Sequence, residues 1–312
     1  MGEGPTGREP VVAIVGPTCS GKTRIAVELA RSIRGEIVSA DARQAFKLLD
    51  VGTAKPTTSE MRDIPHHLVS FLSLEDEISA GVYAKLARDA VEEIFARGRR
   101  PIIVGGSGLY IRAIADGLFD APDVKREVRA ELRNRLHEEG AEKLLAELKE
   151  VDPDTAKGLL HQNYKRILRA LEIYYSSGKR ISDLQEDFPS RPNFDTVQFG
   201  IIVERQELYR RIEKRVDEMI SNGLVEEVKG ILKKGFDPSL NSLQTVGYRE
   251  TIEYLNGGIK FEEMVDLIKM NTRRYAKRQM TWFKKDNRII WIDSTARDAA
   301  DAALEIRNNL LP

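Results

Sequence analysis

Eight residues near the amino end, Gly16 to Thr23 (Gly-Pro-Thr-Cys-Ser-Gly-Lys-Thr), restrict what this chain can fold into more than any other stretch. The five residues before them, Val11 to Val15, form the unbroken apolar run of a parallel strand covered on both faces. After them, Ile25, Ala26, Leu29, Ala30 and Ile33 recur at helical spacing. A strand, a glycine-bearing turn ending in Lys-Thr, and a helix make a P-loop. Gly16 and Gly21 let the backbone wrap so that successive N–H groups point inward, and the helix aims its positive end at the same point. Gly16, Thr18, Cys19, Ser20, Gly21, Lys22 and Thr23 are therefore expected around a diphosphate. Lys22 supplies a point charge and Thr23 a hydroxyl for Mg2+. The loop leaves the diphosphate unspecified: ATP, GTP and a non-nucleotide diphosphate satisfy the same geometry.

With 312 residues the chain can hold one large domain with an insertion, or two modest ones. No apolar run approaches the roughly 18 residues of a membrane span, so no membrane is expected. Met1 to Pro10 has no apolar centre and reads as a polar lead, not a signal peptide. The single cysteine, Cys19, cannot form an internal disulfide, which fits a reducing cytoplasm. Lys+Arg and Asp+Glu balance at 49 each, which excludes a protein that coats nucleic acid indiscriminately but permits a local basic face.

A second short strand, Glu36 to Ala40, delivers Asp41 at its carboxyl end, where open α/β sheets place ligand crevices. Asp41 is either a site carboxylate or a turn and capping carboxylate. Leu49 to Pro56 is a loop, and the adjacent His66 and His67 face opposite ways on extended chain, one packed and one exposed. After an amphipathic helix over Tyr83 to Phe95, a third strand, Pro101 to Val104, ends in Gly105, Gly106, Ser107 and Gly108. A P-loop nucleotidase commonly ends such a strand with a metal-positioning aspartate. Here glycines bring the backbone close to something, with Ser107 the one polar side chain among them.

From 123 to 192 the composition turns charged and helix-forming, with candidate helices over Val124–Glu138, Ala141–Val151, Pro153–Leu160 and Asn163–Ser176. The Pro189-Ser190-Arg191-Pro192 run closes it. Lys165, Arg166 and Arg169 cluster within it. Strand character returns at Val197 to Val203, followed by helices over Arg205–Asn222, Val225–Lys233, Val246–Leu255 and Phe261–Lys284. In the last, Arg274, Lys277, Arg278, Thr281 and Lys285 make a basic stripe, with Tyr275, Trp282 and Phe283 expected elsewhere on the surface. Basic residues interleaved with aromatics favour contact with a phosphate backbone. A closing strand, Ile289 to Ile292, and a tail helix, Ala299 to Leu310, complete an α/β fold of P-loop NTPase type. Its parallel sheet is flanked by helices, and an all-helical domain (123–192) is inserted into the core (1–122 and 193–312).

Several segments together resemble the tRNA dimethylallyltransferase (tRNA isopentenyltransferase) family over nearly the whole chain, in its shorter, bacterial-type form without a zinc-finger extension. They are the P-loop, Ser-Ala-Asp-Ala-Arg-Gln (39–44), Asp-Val-Gly-Thr-Ala-Lys-Pro (50–56) and Pro-His-His-Leu-Val (65–69). Gly-Gly-Ser-Gly-Leu-Tyr (105–110), Arg-Ala-Leu-Glu (169–172), Val-Gly-Tyr-Arg-Glu (246–250) and Lys-Arg-Gln-Met-Thr-Trp-Phe (277–283) continue the series. The resemblance implies transfer of a dimethylallyl group from dimethylallyl diphosphate, with Mg2+, to N6 of the adenosine beside the tRNA anticodon by a cytoplasmic monomer. It makes Asp41 the general base and sets Ser107 near the reacting groups. Lys22, Thr23, Arg205 and Arg211 fall around the diphosphate. The anticodon stem-loop is expected against Asp41, Ala42, Arg43, Gln44, Ser107, Arg129, Lys165, Arg166 and Arg169. Gln244, Gly247, Tyr248, Arg249, Lys277, Arg278, Gln279, Thr281 and Trp282 complete that RNA set, and the helical insertion grips the stem-loop. Departures from the family pattern include Cys19 for alanine, Ala42 for serine, Phe46 for tyrosine and Ser107 for threonine. The larger ones are Ser70 for aspartate and Tyr164, in Gln162-Asn163-Tyr164 where the family has a Pro-Asn-Asp run. Three alternatives stay open from the residues alone: a small-molecule kinase, an isopentenyltransferase acting on free adenine nucleotides, and a non-enzymatic RNA-binding P-loop protein.

Overall fold

The computed structural model describes residues 9–119, 122–186 and 192–310. The polar lead before Glu9 and most of the Pro189–Pro192 punctuation lie outside the described residues. The chain divides into two compact units, Met1–Ala115 with Pro192–Pro312, and Asp116–Arg191.

The larger unit is built on a parallel sheet of six strands: β1 (Val11–Val15), β2 (Gly35–Ser39), β3 (His66–His67), β4 (Arg100–Gly105), β5 (Thr196–Ile202) and β6 (Ile290–Asp293). Their order is β3-β2-β4-β1-β5-β6. The unbroken apolar character of β1 suits its central place, where both faces are covered and all five residues are buried. The helices Lys22–Ile33 and Ala299–Leu310 share a core with the sheet through Ile25, Leu29, Ala302 and Ile306. The helices Ala80–Ala96 and Gly108–Ala115 pack on one another and against β2 and β4. Register then aligns the carboxyl ends of three strands: Val15 pairs with Gly105, and Ser39 with Val104. The P-loop, Asp41 and Ser107 thus leave the sheet at one edge.

A second core gathers the helices Arg205–Ser221, Leu224–Lys233, Tyr248–Leu255 and Phe261–Phe283 around Leu224, Tyr248 and Met264. Its organising group is Glu227. One carboxylate oxygen accepts the N–H groups of Asp50 (3.1 Å) and Val51 (2.8 Å), and the other accepts the Gly52 N–H (3.3 Å) and the Tyr248 hydroxyl (2.6 Å). Burial beside Glu227 pushes the Tyr248 phenol far up. A Cβ on Gly52 would stand 2.5 Å from the Tyr248 ring, so the Asp-Val-Gly-Thr loop and the Val-Gly-Tyr-Arg turn form one packed structure.

The smaller unit is all helical. Arg126–Glu139, Ala141–Val151 and Tyr164–Ser177 enclose Leu132, Leu144, Leu148, Ile167 and Leu171. The helix expected over Pro153 to Leu160 spans only Pro153–Ala156, capped by the Asp152 carboxylate and stopped before Gly158, whose φ is +79°. The short helices Thr58–Met61, Gly108–Ala115 and Ile181–Glu186 show no periodic signal in sequence because each is one or two turns long. The two histidines form the edge strand, and neither is exposed, contrary to expectation. His67 Nε2 lies 2.7 Å from the buried Glu36 carboxylate, and His66 Nδ1 lies 2.8 Å from the Ile64 carbonyl. Among the described residues no helix is long and apolar enough to cross a membrane.

Glu227→Ala leaves three backbone donors and a phenol without their acceptor, whereas Tyr248→Phe removes one hydrogen bond and keeps the ring. In urea denaturation the first is expected to cost about 2–3 kcal/mol and the second about 1 kcal/mol. Equal losses would show that the 50–52 loop does not depend on this carboxylate.

Candidate active site

The P-loop adopts the conformation its glycines permit. Gly16 has φ +145° and Gly21 φ +90°, and a Cβ on Gly16 would lie 2.8 Å from the Ile201 carbonyl oxygen. The helix Lys22–Ile33 begins with no side-chain cap and no acid in its first turn, so its first N–H groups and its dipole are open to an anion. Lys22 folds back and donates from Nζ to the Pro17 carbonyl at 2.5 Å. The Ser20 hydroxyl is buried and finds no partner among the described residues. Desolvation at the cavity floor lowers the Lys22 ammonium to about 8, with Arg215 adding to the shift and Asp41 and Cys19 opposing it. The ammonium is thus deeply desolvated although the residue as a whole is only half-buried.

A cavity of about 1150 Å³ opens over this loop. Its walls include Thr18, Cys19, Gly21, Lys22 and Thr23, with Asp41 and Gln44 from the turn after β2. Arg211, Arg215, Tyr275 and Gln279 come from two helices. Asp41 makes a turn and stands in the cavity wall. Its Oδ1 accepts the N–H groups of Arg43 (2.8 Å) and Gln44 (3.3 Å), making a turn, while the residue lines the cavity. The next peptide, Ala42 N–H, donates to Ser107 Oγ at 3.1 Å, which ties the β2 and β4 turns together. Burial pushes the Tyr275 phenol up to about 12; Asp41 reinforces the shift, while Arg43 and the hydrogen bond to Ser107 oppose it.

The glycines ending β4 are required by neighbours of the protein itself. A Cβ on Gly105 would sit 2.1 Å from the Ala40 carbonyl oxygen, one on Gly106 2.2 Å from Gln279 Nε2, and one on Gly108 2.2 Å from the Trp282 ring. No carboxylate occupies this strand end, and among the described residues no cluster of three His, Cys, Asp or Glu could hold a metal.

Not every expected residue reaches the cavity. Arg211 does: its Nε donates to Glu207 (2.7 Å) and its Nη2 to the Ser294 and Thr295 carbonyls (3.1 and 3.0 Å). Arg205 does not; it is exposed on the first helical turn, 5.3 Å over the Tyr209 ring, and is not part of the cavity wall. Arg215, one turn beyond Arg211, stands in the wall instead, donating to the Ala54 carbonyl (3.2 Å) and to Cys19 Sγ (3.6 Å). Its spacing of four from Arg211 is the sequence signal that both share a helix face.

The expected RNA positions divide in the same way. Arg274, Lys277, Arg278, Thr281 and Trp282 are exposed, with the Arg278 guanidinium 5.7 Å over the Tyr275 ring. Phe283 is buried and Tyr275 faces the cavity, so neither is the surface aromatic expected. Gln279 and Tyr248 are also buried, as is Gly247 (φ +97°), so in this structure the two side chains face the protein interior and not the outer face expected. Gln244 and Arg249 are exposed, Arg249 pairing with Glu250 at 2.8 Å. Arg43 donates to the Asn241 carbonyl at 2.8 Å, joining the Asp41 turn to this segment. Within the helical unit, Lys165 and Arg166 are exposed, while Arg169 and Arg129 approach the buried Glu172 at 3.7 and 3.8 Å.

Residues 44–286 match the IPP transferase family. The tRNA dimethylallyltransferase of Salinibacter ruber is 43% identical over 99% of this chain and 95% of its own length. The tRNA dimethylallyltransferase 2 of Geotalea daltonii is 45% identical over 92% and 88%. Among solved structures, the tRNA isopentenylpyrophosphate transferase of Bacillus halodurans superposes with TM-score 0.72 at 37% identity, covering 97% of this chain and 96% of that one. A eukaryotic dimethylallyltransferase acting on tRNA gives TM-score 0.83 at 27% identity, covering 97% and 79%.

Because the cationic form of Lys22 favours an anion and its pKa is depressed, affinity for inorganic diphosphate is expected to fall as pH rises through about 8. Titration calorimetry between pH 6.5 and 9.5 should show this fall, and Lys22→Arg, whose guanidinium stays charged, should flatten it. The same profile in both proteins would remove Lys22 from the anion site.

Proposed function

Because the chain belongs to the IPP transferase family, we propose that it transfers the dimethylallyl group of dimethylallyl diphosphate to N6 of the adenosine 3′ of the anticodon in tRNA, in the cytoplasm. One observation carries the tRNA acceptor over a free nucleotide: the helix Phe261–Phe283 turns Tyr275 into the cavity wall and Arg274, Lys277 and Arg278 to solvent. A nucleotide monophosphate has no use for that outer face, whereas an RNA backbone does. The glycine-ended β4 also lacks the carboxylate that γ-phosphate chemistry uses.

In the reaction the allylic C1–O bond breaks, and its electron pair leaves with the diphosphate. The N6–C1 bond forms, and the N6 proton passes to the Asp41 carboxylate. The P-loop N–H groups, Lys22, Arg211 and Arg215 are charges and dipoles held in place before charge develops on the leaving group, so they favour the transition state over the bound donor. Asp41 is oriented by two backbone N–H groups on Oδ1, which leaves Oδ2 to accept from the amine. Its place in the cavity wall supports the base role, which requires hydrogen-bond reach of the amine. The residues fit Mg2+ carried by the donor: Thr23 would offer one hard oxygen at the cavity, beside a diphosphate of the kind Mg2+ favours. Bound there, Mg2+ neutralises charge on the leaving diphosphate. The base must leave its stack to reach Asp41, and the exposed Lys165 and Arg166 of the helical unit are proposed to hold the stem-loop.

Radiolabelled dimethylallyl diphosphate is expected to label tRNA bearing adenosine beside the anticodon; equal labelling of free AMP, or ATP turnover without labelling, would replace this reading. Asp41→Asn should lower the single-turnover rate by about 10²–10⁴ with tRNA affinity retained. Lys277→Ala with Arg278→Ala should weaken tRNA binding and lower the salt slope by about one to two, measured by filter binding from low to moderate salt. An unchanged slope would leave the stripe as a solvated face.

A further inference from the structure

Gln279 lies on the helix that carries the basic stripe, yet its side chain is buried and joins two other segments far away in sequence. Its Oε1 accepts the Thr18 N–H of the P-loop at 2.8 Å, and its Nε2 donates to the Gly106 carbonyl at the end of β4 at 2.9 Å. Gly106 has no side chain where this amide sits. One turn earlier Tyr275 lines the cavity, and on the opposite side Lys277, Arg278 and Thr281 face solvent. A single rigid element therefore bears the RNA-facing charges on one side and the support of the diphosphate loop on the other. One loop N–H is directed at this helix and not at the ligand, so the helix position sets how the cradle is presented.

Building on the proposed function, we propose that Gln279 is a positioning residue that couples the two substrates: RNA held on the outer face fixes the helix, and Gln279 fixes the P-loop for the diphosphate. Ordering paid for by one ligand is not paid again by the other, so each strengthens the other, reciprocally. A glutamine that merely filled the core would give stability without coupling.

The test measures the affinity of the full chain for inorganic diphosphate with Mg2+, by calorimetry, with and without a saturating anticodon stem-loop RNA. RNA is expected to tighten diphosphate binding by at least about fivefold. In Gln279→Met, which keeps bulk and loses both hydrogen bonds, the gain should fall below about twofold while cooperative unfolding is kept. If that variant does not fold, Gln279→Glu, which loses the donor to Gly106 and keeps the acceptor for Thr18, must also lower the gain. A wild-type gain near one, or an undiminished gain in the folded variants, overturns the proposal. If RNA is prenylated but shows no gain, coupling alone fails; if RNA is neither bound nor prenylated, the functional reading fails with it.

Discussion

Everything at the site depends on backbone packed against backbone and side chain where β4 ends. The Gly105 Cα lies so close to the Ala40 carbonyl that no side chain fits between them, and Gly106 and Gly108 meet Gln279 and Trp282 in the same way. These contacts bring the turns after β1, β2 and β4 and the long basic helix within one small area. A side chain at Gly105 would push the β2 and β4 turns apart, whereas one at Gly106 or Gly108 would displace the Gln279 amide or the Trp282 ring. The parallel register supplies the coarse alignment, and the glycines supply the last ångströms.

The fold and the residues that line the cavity from the P-loop and the β2 turn were legible in the chain because they rest on local patterns. The P-loop, the strand delivering Asp41 and the basic stripe each announce themselves within about twenty residues, and the charged helical insertion by its composition over 123–192. What stayed hidden depends on contacts between distant segments. Nothing near Glu227 marks it as the acceptor for three N–H groups of the 50–52 loop, and nothing near Tyr248 marks it as buried. The residues of the Lys-Arg-Gln-Met-Thr-Trp motif look alike as a group, but helical rotation turns Gln279 inward and its neighbours outward. Arg205 stays outside and the unanticipated Arg215 enters the cavity for the same reason: the helix face, not nearness to the strand end, decides which arginine lines it.

The cations of the cavity are not loose. Arg211 is held by Glu207 and two carbonyls, Arg215 by the Ala54 carbonyl, and Lys22 by the Pro17 carbonyl. Fixing them in this way removes the side-chain reorganisation that a leaving anion would otherwise have to wait for. Lys22 shows the cost: its ammonium is desolvated enough that its charge becomes sensitive to pH near neutrality. A formal net charge of zero thus conceals a segregated distribution, with hydrogen-bonded cations in the cavity and an exposed basic face on the helix Phe261–Phe283.

The place of β1 between β4 and β5 has a consequence for how the chain is made. The first four strands are synthesised before the helical unit, and β5 follows about 90 residues after β4. At typical translation speeds of about 5–20 residues per second, the apolar edge of β1 waits roughly 5–20 s for its second neighbour. A growing chain in that interval carries a four-stranded half-sheet with an open apolar edge, the state in which nascent proteins aggregate or recruit chaperones. The insertion, which closes on its own core, can fold during the wait. The sheet therefore stays incomplete through the middle of synthesis, until β5 covers the open edge of β1.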